Sequence, residues 1–243
     1  HGGTHAIVAS HLIENPSLDR ACATLGDAMG RSINVPFARL AARHLRQPDL
    51  RRMASLFGFG APPTFDLPAV ASPFQIPDDR LELGRTAAGF GAVHLSPLHG
   101  ALIAATIAGA GQARRPWLVD SVLDTDGRAV YRAQSSLLPR VLSERTAQAL
   151  DAMLRRTTTE GTARSAFFDA AGNPFLPGVA VAGKTGTLND RSLPLEYTWF
   201  VGYAPAGDPE YAVSALVANG PRWRVRASFV ARAACAAPCA RAR

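Results

Sequence analysis

The 243-residue chain carries 26 Lys plus Arg residues against 19 Asp plus Glu, a formal net charge of +7, and 47% of its residues are hydrophobic. This length suits one large domain or two small ones, and no stretch approaches the roughly 18 consecutive apolar residues of a membrane span. The Arg residues are scattered without interleaved aromatic residues, so no nucleic acid is expected as a partner. Three cysteines are too few for a disulfide framework.

The N-terminal part of the chain has the signals of several helices. Thr24 and Asp27 form a capping box that opens a helix, which is predicted to end near Gly30. Pro36 suits the first turn of a second helix. Residues 45–56 have helical spacing and predict a third.

The middle of the chain is predicted to be a proline-rich loop, a helix and a hairpin. Residues 60–80 contain five prolines and are interpreted as an ordered loop. Pro97 begins a predicted helix that extends to Ala108. Residues 117–119 and 129–131 flank the turn sequence Asp126-Gly127, which predicts a β-hairpin.

The C-terminal part changes from helix to strands. Ser143 is predicted to start an amphipathic helix, because apolar residues recur on one face after it. Residues 179–185, 197–203 and 211–218 are predicted strands, separated by turns rich in Pro, Gly and Asp. A closing helix is expected from Ser228 onward, where Cys235 and Cys239 are interpreted as small apolar packing residues.

One lysine stands out because every other basic residue is Arg. Lys184 lies in the sequence Gly183-Lys184-Thr185-Gly186-Thr187. A lysine ammonium is compact and its pKa can be tuned by its surroundings, whereas Arg stays charged. A retained lysine therefore suggests chemistry that Arg cannot perform.

Upstream of this lysine lies Ser32-Ile33-Asn34, followed by an apolar helical run. Ser-x-Asn followed by Lys-Thr-Gly is two-thirds of the motif set of penicillin-binding proteins and serine β-lactamases, and the chain resembles the transpeptidase domain of penicillin-binding proteins. Four further segments resemble that domain in the same order, at residues 56–60, 89–91, 95–98 and 160–163. The ordered set is far more specific than either motif alone.

The third motif of this family, the nucleophile's Ser-x-x-Lys, does not occur in the chain. Lys184 is the one lysine, and Val181 occupies the position three residues before it. The expectation is a fragment that begins after the nucleophile helix. The alternative is a degenerate relative that lacks the nucleophile.

The resemblance implies a role for each motif residue. Ser32 corresponds to the serine that relays a proton, and Asn34 to the asparagine that hydrogen-bonds the substrate amide. Lys184 corresponds to the lysine that holds this serine and attracts the substrate carboxylate. From the residues alone, Ser32-x-Asn34 is equally compatible with a helix cap or Asx-turn.

The rest of the lysine motif is implied to bind substrate. Thr185 corresponds to the hydroxyl that binds the carboxylate, and Gly186 allows close approach of the substrate. The backbone N–H of Thr187 corresponds to an oxyanion-hole donor. No metal or other cofactor is expected, because the histidines lack ligand spacing; the segment between His1 and His5 contains Gly2 and Gly3, which disfavour a helix.

A competing motif overlaps the same residues. Residues 178–185 satisfy the phosphate-binding pattern Gly-x-x-x-x-Gly-Lys-Ser/Thr. That loop needs flexible residues between the glycines and a helix after the lysine. Here Val-Ala-Val-Ala fills the gap and turn residues follow, so a nucleotide hydrolase is disfavoured.

The resemblance implies an α+β fold of the β-lactamase/transpeptidase type, N-terminally incomplete, with the site between two parts. Residues of about 20–175 are expected to form a mostly helical lobe with a hairpin, and about 176–243 the sheet strands and C-terminal helix, as one partial domain. The implied activity is a peptidoglycan D,D-transpeptidase that forms an acyl-serine and is inhibited by β-lactams. The implied location is the outer face of the bacterial cytoplasmic membrane, with a membrane anchor and cell-wall synthesis partners for the full-length protein. The alternatives are a D,D-carboxypeptidase and a non-catalytic module that binds peptidoglycan or a partner.

Overall fold

The computed structural model describes residues 7–17, 19, 22–189, 193–222 and 224–239, without the side chains of 237–239. A short 3-10 helix, Ala9–Leu12, comes first. The helices are α1 Leu25–Arg31, α2 Asn34–His44, α3 Gln47–Leu56, α4 Arg80–Ala87, α5 Pro97–Ala108, α6 Glu144–Thr159, α7 Arg164–Phe167 and α8 Ala227–Cys239. The strands are β1 Gln112–Arg114, β2 Ser121–Leu123, β3 Ala129–Arg132, β4 Leu137–Arg140, β5 Ala182–Asn189, β6 Glu196–Ala204 and β7 Tyr211–Asn219.

The main sheet is antiparallel, in the order β5-β6-β7 over the described residues, and helices cover both of its faces. Phe200 and Ala215 lie on one face and pack with α7 and α8, where Cys235 is buried as predicted for an apolar packing residue. Tyr203 lies on the opposite face and packs with Ala104 of α5 and Leu154 of α6. This mixture of helices and antiparallel strands confirms the predicted α+β class.

Two glycines allow the lysine strand to sit tightly against its neighbour. Gly183 of β5 pairs with Gly202 of β6. A Cβ at position 183 would lie 2.4 Å from Cζ of Phe200, well inside van der Waals contact. Glycine is therefore required at position 183 for Phe200 to fill the core beneath β5.

The predicted helices are largely confirmed, with shifts at their ends. Ser143 caps α6 through its side chain, and α5 begins at Pro97 as predicted. The first helix continues one residue beyond Gly30, because Ser32 takes the left-handed conformation that ends it. The third helix begins at Gln47 rather than 45, because the Leu45 N–H still bonds to α2.

Two predicted strand boundaries were wrong, because the backbone N–H groups there donate to a distant side chain or close a turn instead of pairing with a strand. The hairpin is present, but its first strand is β2 rather than residues 117–119. The N–H groups of Leu118 and Val119 donate instead to Oδ2 of Asp66, at 2.7 and 2.9 Å. The lysine strand begins at 182 rather than 179, because the Val179 N–H closes a turn onto Leu176.

Candidate active site

Ser32 lies at the break between α1 and α2, as the sequence predicts. The capping box is formed: the Thr24 Oγ1 accepts from the Asp27 N–H, and Oδ2 of Asp27 accepts from the Thr24 N–H at 2.9 Å. Ser32 has φ 56° and ψ 47°, a left-handed conformation that is costly for a residue with a Cβ. Such strain is typical of functional sites.

Lys184 reaches from β5 to this serine. Its Nζ donates to the Ser32 Oγ at 3.0 Å and to the carbonyl oxygen of Thr185 at 2.9 Å. Burial disfavours the charged ammonium and lowers the pKa of Lys184 to about 8. The lysine is therefore still largely protonated at neutral pH, but it loses its proton far more readily than a solvated lysine does.

Five of the six predicted site residues line one cleft of about 860 Å³, and the sixth, Lys184, bonds to one of them. Ser32 and Asn34 form one wall, and Thr185, Gly186 and Thr187 of β5 form the other. Over the described residues β5 pairs with β6 alone, which leaves its other edge without a partner strand. The cleft can therefore receive an extended chain alongside β5.

One cleft residue received no role in the sequence interpretation. Thr162, in the segment 160–163, places its Oγ1 2.5 Å from the Oγ1 of Thr185. Its backbone N–H donates to the carbonyl oxygen of Gly30 at 3.0 Å, close to Ser32. The signal that could have found it is the short Glu-Gly-Thr-Ala segment itself.

The cleft also carries more positive than negative charge. Arg31 lies on its helical wall, and Arg224 and Arg226 lie before α8, against one carboxylate, Glu196. None of the three arginines forms an ion pair within the described residues. An anionic ligand is therefore favoured over a cationic one.

The arginine-bearing segment is held by buried polar side chains. The Asn219 Oδ1 accepts from the Val225 N–H at 2.7 Å, and the Thr198 Oγ1 accepts from the Ala227 N–H at 3.0 Å. Both Asn219 and Thr198 are buried. Their hydrogen bonds tie the approach to α8 to strands β6 and β7, so Arg224 and Arg226 project from an anchored segment.

The strand that carries Lys184 does not fit the phosphate-binding loop considered from the sequence. Lys184 lies inside a strand, and in the described residues no helix occurs between it and β6, unlike a phosphate-binding loop. No cluster of three or more His, Cys, Asp or Glu side chains suited to a metal ion occurs in the described ranges; His1 and His5 lie outside them. In the same ranges no helix is long and apolar enough to cross a membrane.

Comparison with known proteins identifies the class to which this fold and cleft belong. The chain belongs to the penicillin-binding protein transpeptidase family, whose domain model, "Penicillin binding protein transpeptidase domain", matches residues 3–238. It is 32% identical over 215 residues to the peptidoglycan D,D-transpeptidase PbpA of Mycobacterium tuberculosis, covering 84% of this chain and 40% of that protein. The chain thus spans about two-fifths of the length of this curated relative.

The fold is shared with solved structures, among them one from M. tuberculosis and one from Eggerthella lenta. The imipenem acyl-enzyme complex of penicillin-binding protein A from M. tuberculosis superposes with a TM-score of 0.79 at 32% identity, covering 93% of this chain and 49% of that one. The D,D-transpeptidase domain of a peptidoglycan glycosyltransferase from Eggerthella lenta gives a TM-score of 0.73 at 27% identity, covering 90% and 53%. Both confirm the family that the sequence motifs predicted.

Proposed function

We propose that this chain is the substrate-binding part of a peptidoglycan D,D-transpeptidase, which cross-links stem peptides through an acyl-serine whose nucleophile lies outside these 243 residues. The observation that carries the proposal is the 3.0 Å hydrogen bond from Lys184 to Ser32, which joins the strand motif to the helix motif. Residues 152 positions apart are thus joined beside the cleft that Ser32 lines. Two polar residues that only faced solvent would not need such a contact.

The proposed proton path uses the Ser32 hydroxyl. A hydroxyl donates one hydrogen and accepts two. Because Lys184 donates to the Ser32 Oγ, the Ser32 hydrogen is available to a partner in the cleft. Ser32 can then hand its proton to the leaving amine and recover one from the lysine, whose lowered pKa of about 8 makes that transfer easier. Asn34 is proposed to hold the substrate amide.

The proposed peptide site is the open edge of β5. A stem peptide lying beside this edge can bond to the strand backbone, with its terminal carboxylate at Thr185. Gly186 has no side chain to keep the peptide away from this edge, and the Thr187 N–H is proposed as an oxyanion donor. The excess of arginine in the cleft supports an anionic donor peptide. β-Lactams, which carry a carboxylate beside a reactive carbonyl, fit the same site.

The organisation of the whole protein follows from the same proposal. Residues of about 20–175 and about 176–243 form the helical and sheet parts of a single transpeptidase domain, with the cleft between them. The full-length protein acts on the outer side of the bacterial cytoplasmic membrane, with a membrane anchor and cell-wall synthesis partners. A D,D-carboxypeptidase would use the same acyl-serine and differ in transferring it to water.

A non-catalytic peptidoglycan-binding module is the second candidate. The observation that favours it is the absence of Ser-x-x-Lys from the sequence, in which Val181 precedes the single lysine by three positions. Such a module would keep the carboxylate site at Thr185 and bind stem peptides without cleaving them.

A labelled penicillin distinguishes these candidates. It is incubated with the 243-residue chain and with the protein encoded by the complete reading frame, and adducts are located by mass spectrometry. We expect an adduct on a serine outside the 243 residues, formed more slowly when Lys184 is replaced by Met. An adduct on Ser32 would contradict the proposed roles, and no adduct in either preparation would favour the non-catalytic module.

A further inference from the structure

The hydroxyl of Thr162, in the 160–163 segment, is in hydrogen-bond contact with the hydroxyl of Thr185. We propose that Thr162 is a positioning residue that directs the Thr185 hydroxyl toward the carboxylate of a D-Ala-D-Ala-ended peptide. The pair is 2.5 Å apart, and both side chains line the cleft. The inference rests on the carboxylate-binding role proposed for Thr185.

The backbone holds Thr162 in one place relative to the helix that precedes Ser32. The Thr162 N–H donates to the Gly30 carbonyl oxygen at 3.0 Å, and the Ala163 N–H donates to Thr157 at 3.0 Å. A Cβ at Gly161 would lie 1.9 Å from that same Gly30 oxygen, so the segment is pressed against the end of α1. Thr162 is therefore attached firmly to the helical wall of the cleft.

Its side chain joins that wall to the strand. Gly30 lies two residues before Ser32, and Thr185 follows Lys184 directly. Thr162 contacts Gly30 through its backbone N–H and Thr185 through its hydroxyl. It thus links the two segments that supply the proposed proton path and carboxylate site, independently of the bond between Lys184 and Ser32.

The direction of the hydrogen bond follows from the chemistry of the ligand. A carboxylate only accepts, so a Thr185 hydroxyl that binds it must give its single hydrogen to the ligand. The short contact with Thr162 then requires the Thr162 hydroxyl to be the donor. Hydrogen bonds in such a chain polarise one another, so the Thr162 donor strengthens the Thr185 donor. Valine at 162 removes this donor and leaves Thr185 free to rotate away.

The test compares peptide affinity in the 243-residue chain by NMR titration. The probes are N-acetyl-D-alanyl-D-alanine and its C-terminal amide, which differ only in the carboxylate. The variants are Thr162→Val, Thr162→Ser and Thr185→Val. Thr159→Val is the matched control, because the Thr159 hydroxyl bonds within α6 to the Arg155 carbonyl at 3.1 Å, outside the cleft lining.

We expect Thr162→Val to weaken binding of the carboxylate peptide about fivefold, as for loss of one hydrogen bond, with little effect on the amide. Thr162→Ser should restore the affinity, and Thr159→Val should leave it unchanged. If Thr162 only stabilised the fold, its substitution would lower the melting temperature and weaken the binding of both peptides equally. If Thr162→Val does not fold, Thr162→Ala is measured instead, because it cannot crowd Thr185.

Two results separate this inference from the function on which it rests. If Thr185→Val abolishes carboxylate selectivity while Thr162→Val and Thr162→Ala preserve it, the positioning role is overturned and the proposed site stands. If the wild-type chain binds acid and amide equally, or Thr185→Val has no effect, the carboxylate site itself is wrong and the positioning role falls with it.

Discussion

Arg156 of α6 holds Asp27 of α1 across the helical wall, with its Nη2 2.8 Å from Oδ1 of Asp27. The same Nη2 lies 3.0 Å from Oε2 of Glu160, at the start of the segment that carries Thr162. Gly26 and Gly30 pack directly on the Arg156 side chain and backbone. One arginine therefore contacts both α1, which is capped by Ser32, and the start of the segment that carries Thr162.

Replacing Asp27 by Asn should remove an acid-sensitive part of the stability. Hydrogen bonds from Thr24 to the Asp27 carboxylate, reinforced by Arg156, hold the pKa of Asp27 below its ordinary value. A depressed carboxyl pKa stabilises the fold above the unfolded value of 3.8 and loses that stabilisation as pH falls through the folded pKa. The Asp27→Asn variant should melt earlier at neutral pH and lose less stability on acidification. Asp208→Asn, an exposed change, is the control and should match the wild type throughout.

Lys184→Met should change how stability depends on alkaline pH. The folded pKa of Lys184 is about 8 against 10.5 for a free lysine, so the unfolded state binds more protons between these values. Stability should therefore rise with pH in this window, by up to about 1.4 kcal/mol per pH unit. Urea unfolding at pH 7, 8, 9 and 10 should show this rise in the wild type relative to Lys184→Met. Parallel curves for the two proteins would show that the lysine is not desolvated.

Gly183→Ala should destabilise the core without altering the chemistry of the lysine. The added Cβ would meet the Phe200 ring at 2.4 Å and force the ring or strand to move. Overpacking of this kind costs about 1–3 kcal/mol. Denaturant unfolding measures the loss. Gly220→Ala is the matched control, because nothing lies within 4 Å of a Cβ there, and an equal loss in both variants would refute the packing argument.

Arg226→Gln should weaken anionic ligands and lower their salt dependence. Arg226 lines the cleft together with Arg224 and Arg31, against Glu196 alone. Losing one exposed charge should reduce affinity for the carboxylate peptide a few-fold at low salt and less at high salt, because ions screen exposed charges. Titrations at two salt concentrations measure this. Arg128→Gln, in the hairpin turn, should leave affinity unchanged, and equal effects from both would show a general charge effect.

The sequence predicted the helices and strands of this fold better than the residues at which they begin and end. The capping box of α1, the proline start of α5 and the serine cap of α6 are local signals, and each is present. The start of β5 depends on more than a local signal: the Val179 N–H closes a turn onto Leu176, and the Ala180 carbonyl oxygen accepts from the distant Ala206 N–H, outside the sheet ladder. The wrong assignment at 117–119 has a similar cause, since Asp66 lies about 50 residues away.

In the candidate site, too, residues carried by sequence motifs were predictable, and a contact that depends on the packing of distant segments was not. Ser32 and Lys184 were found because motif order carries them, and the 3.0 Å contact between them is what that order predicted. The roles assigned to Ser32, Asn34, Lys184, Thr185, Gly186 and Thr187 all stay predictions. Thr162 was noted only as part of a family segment. Its contact with Thr185 depends on how closely Gly161 packs on Gly30, which no local sequence pattern reports.

Because the sequence contains one lysine, a lysine-specific reagent can label the candidate site selectively. Lys184 is the single side-chain amine in these 243 residues, and its lowered pKa of about 8 leaves much of it as the unprotonated, nucleophilic amine at mildly alkaline pH. Reductive methylation with ¹³C-formaldehyde and a hydride donor would therefore place an isotopic methyl label on one side chain, Lys184, which bonds to the cleft residue Ser32, apart from the α-amino group. The NMR shift of that label would record the protonation of Lys184 directly and report peptide binding without any mutation.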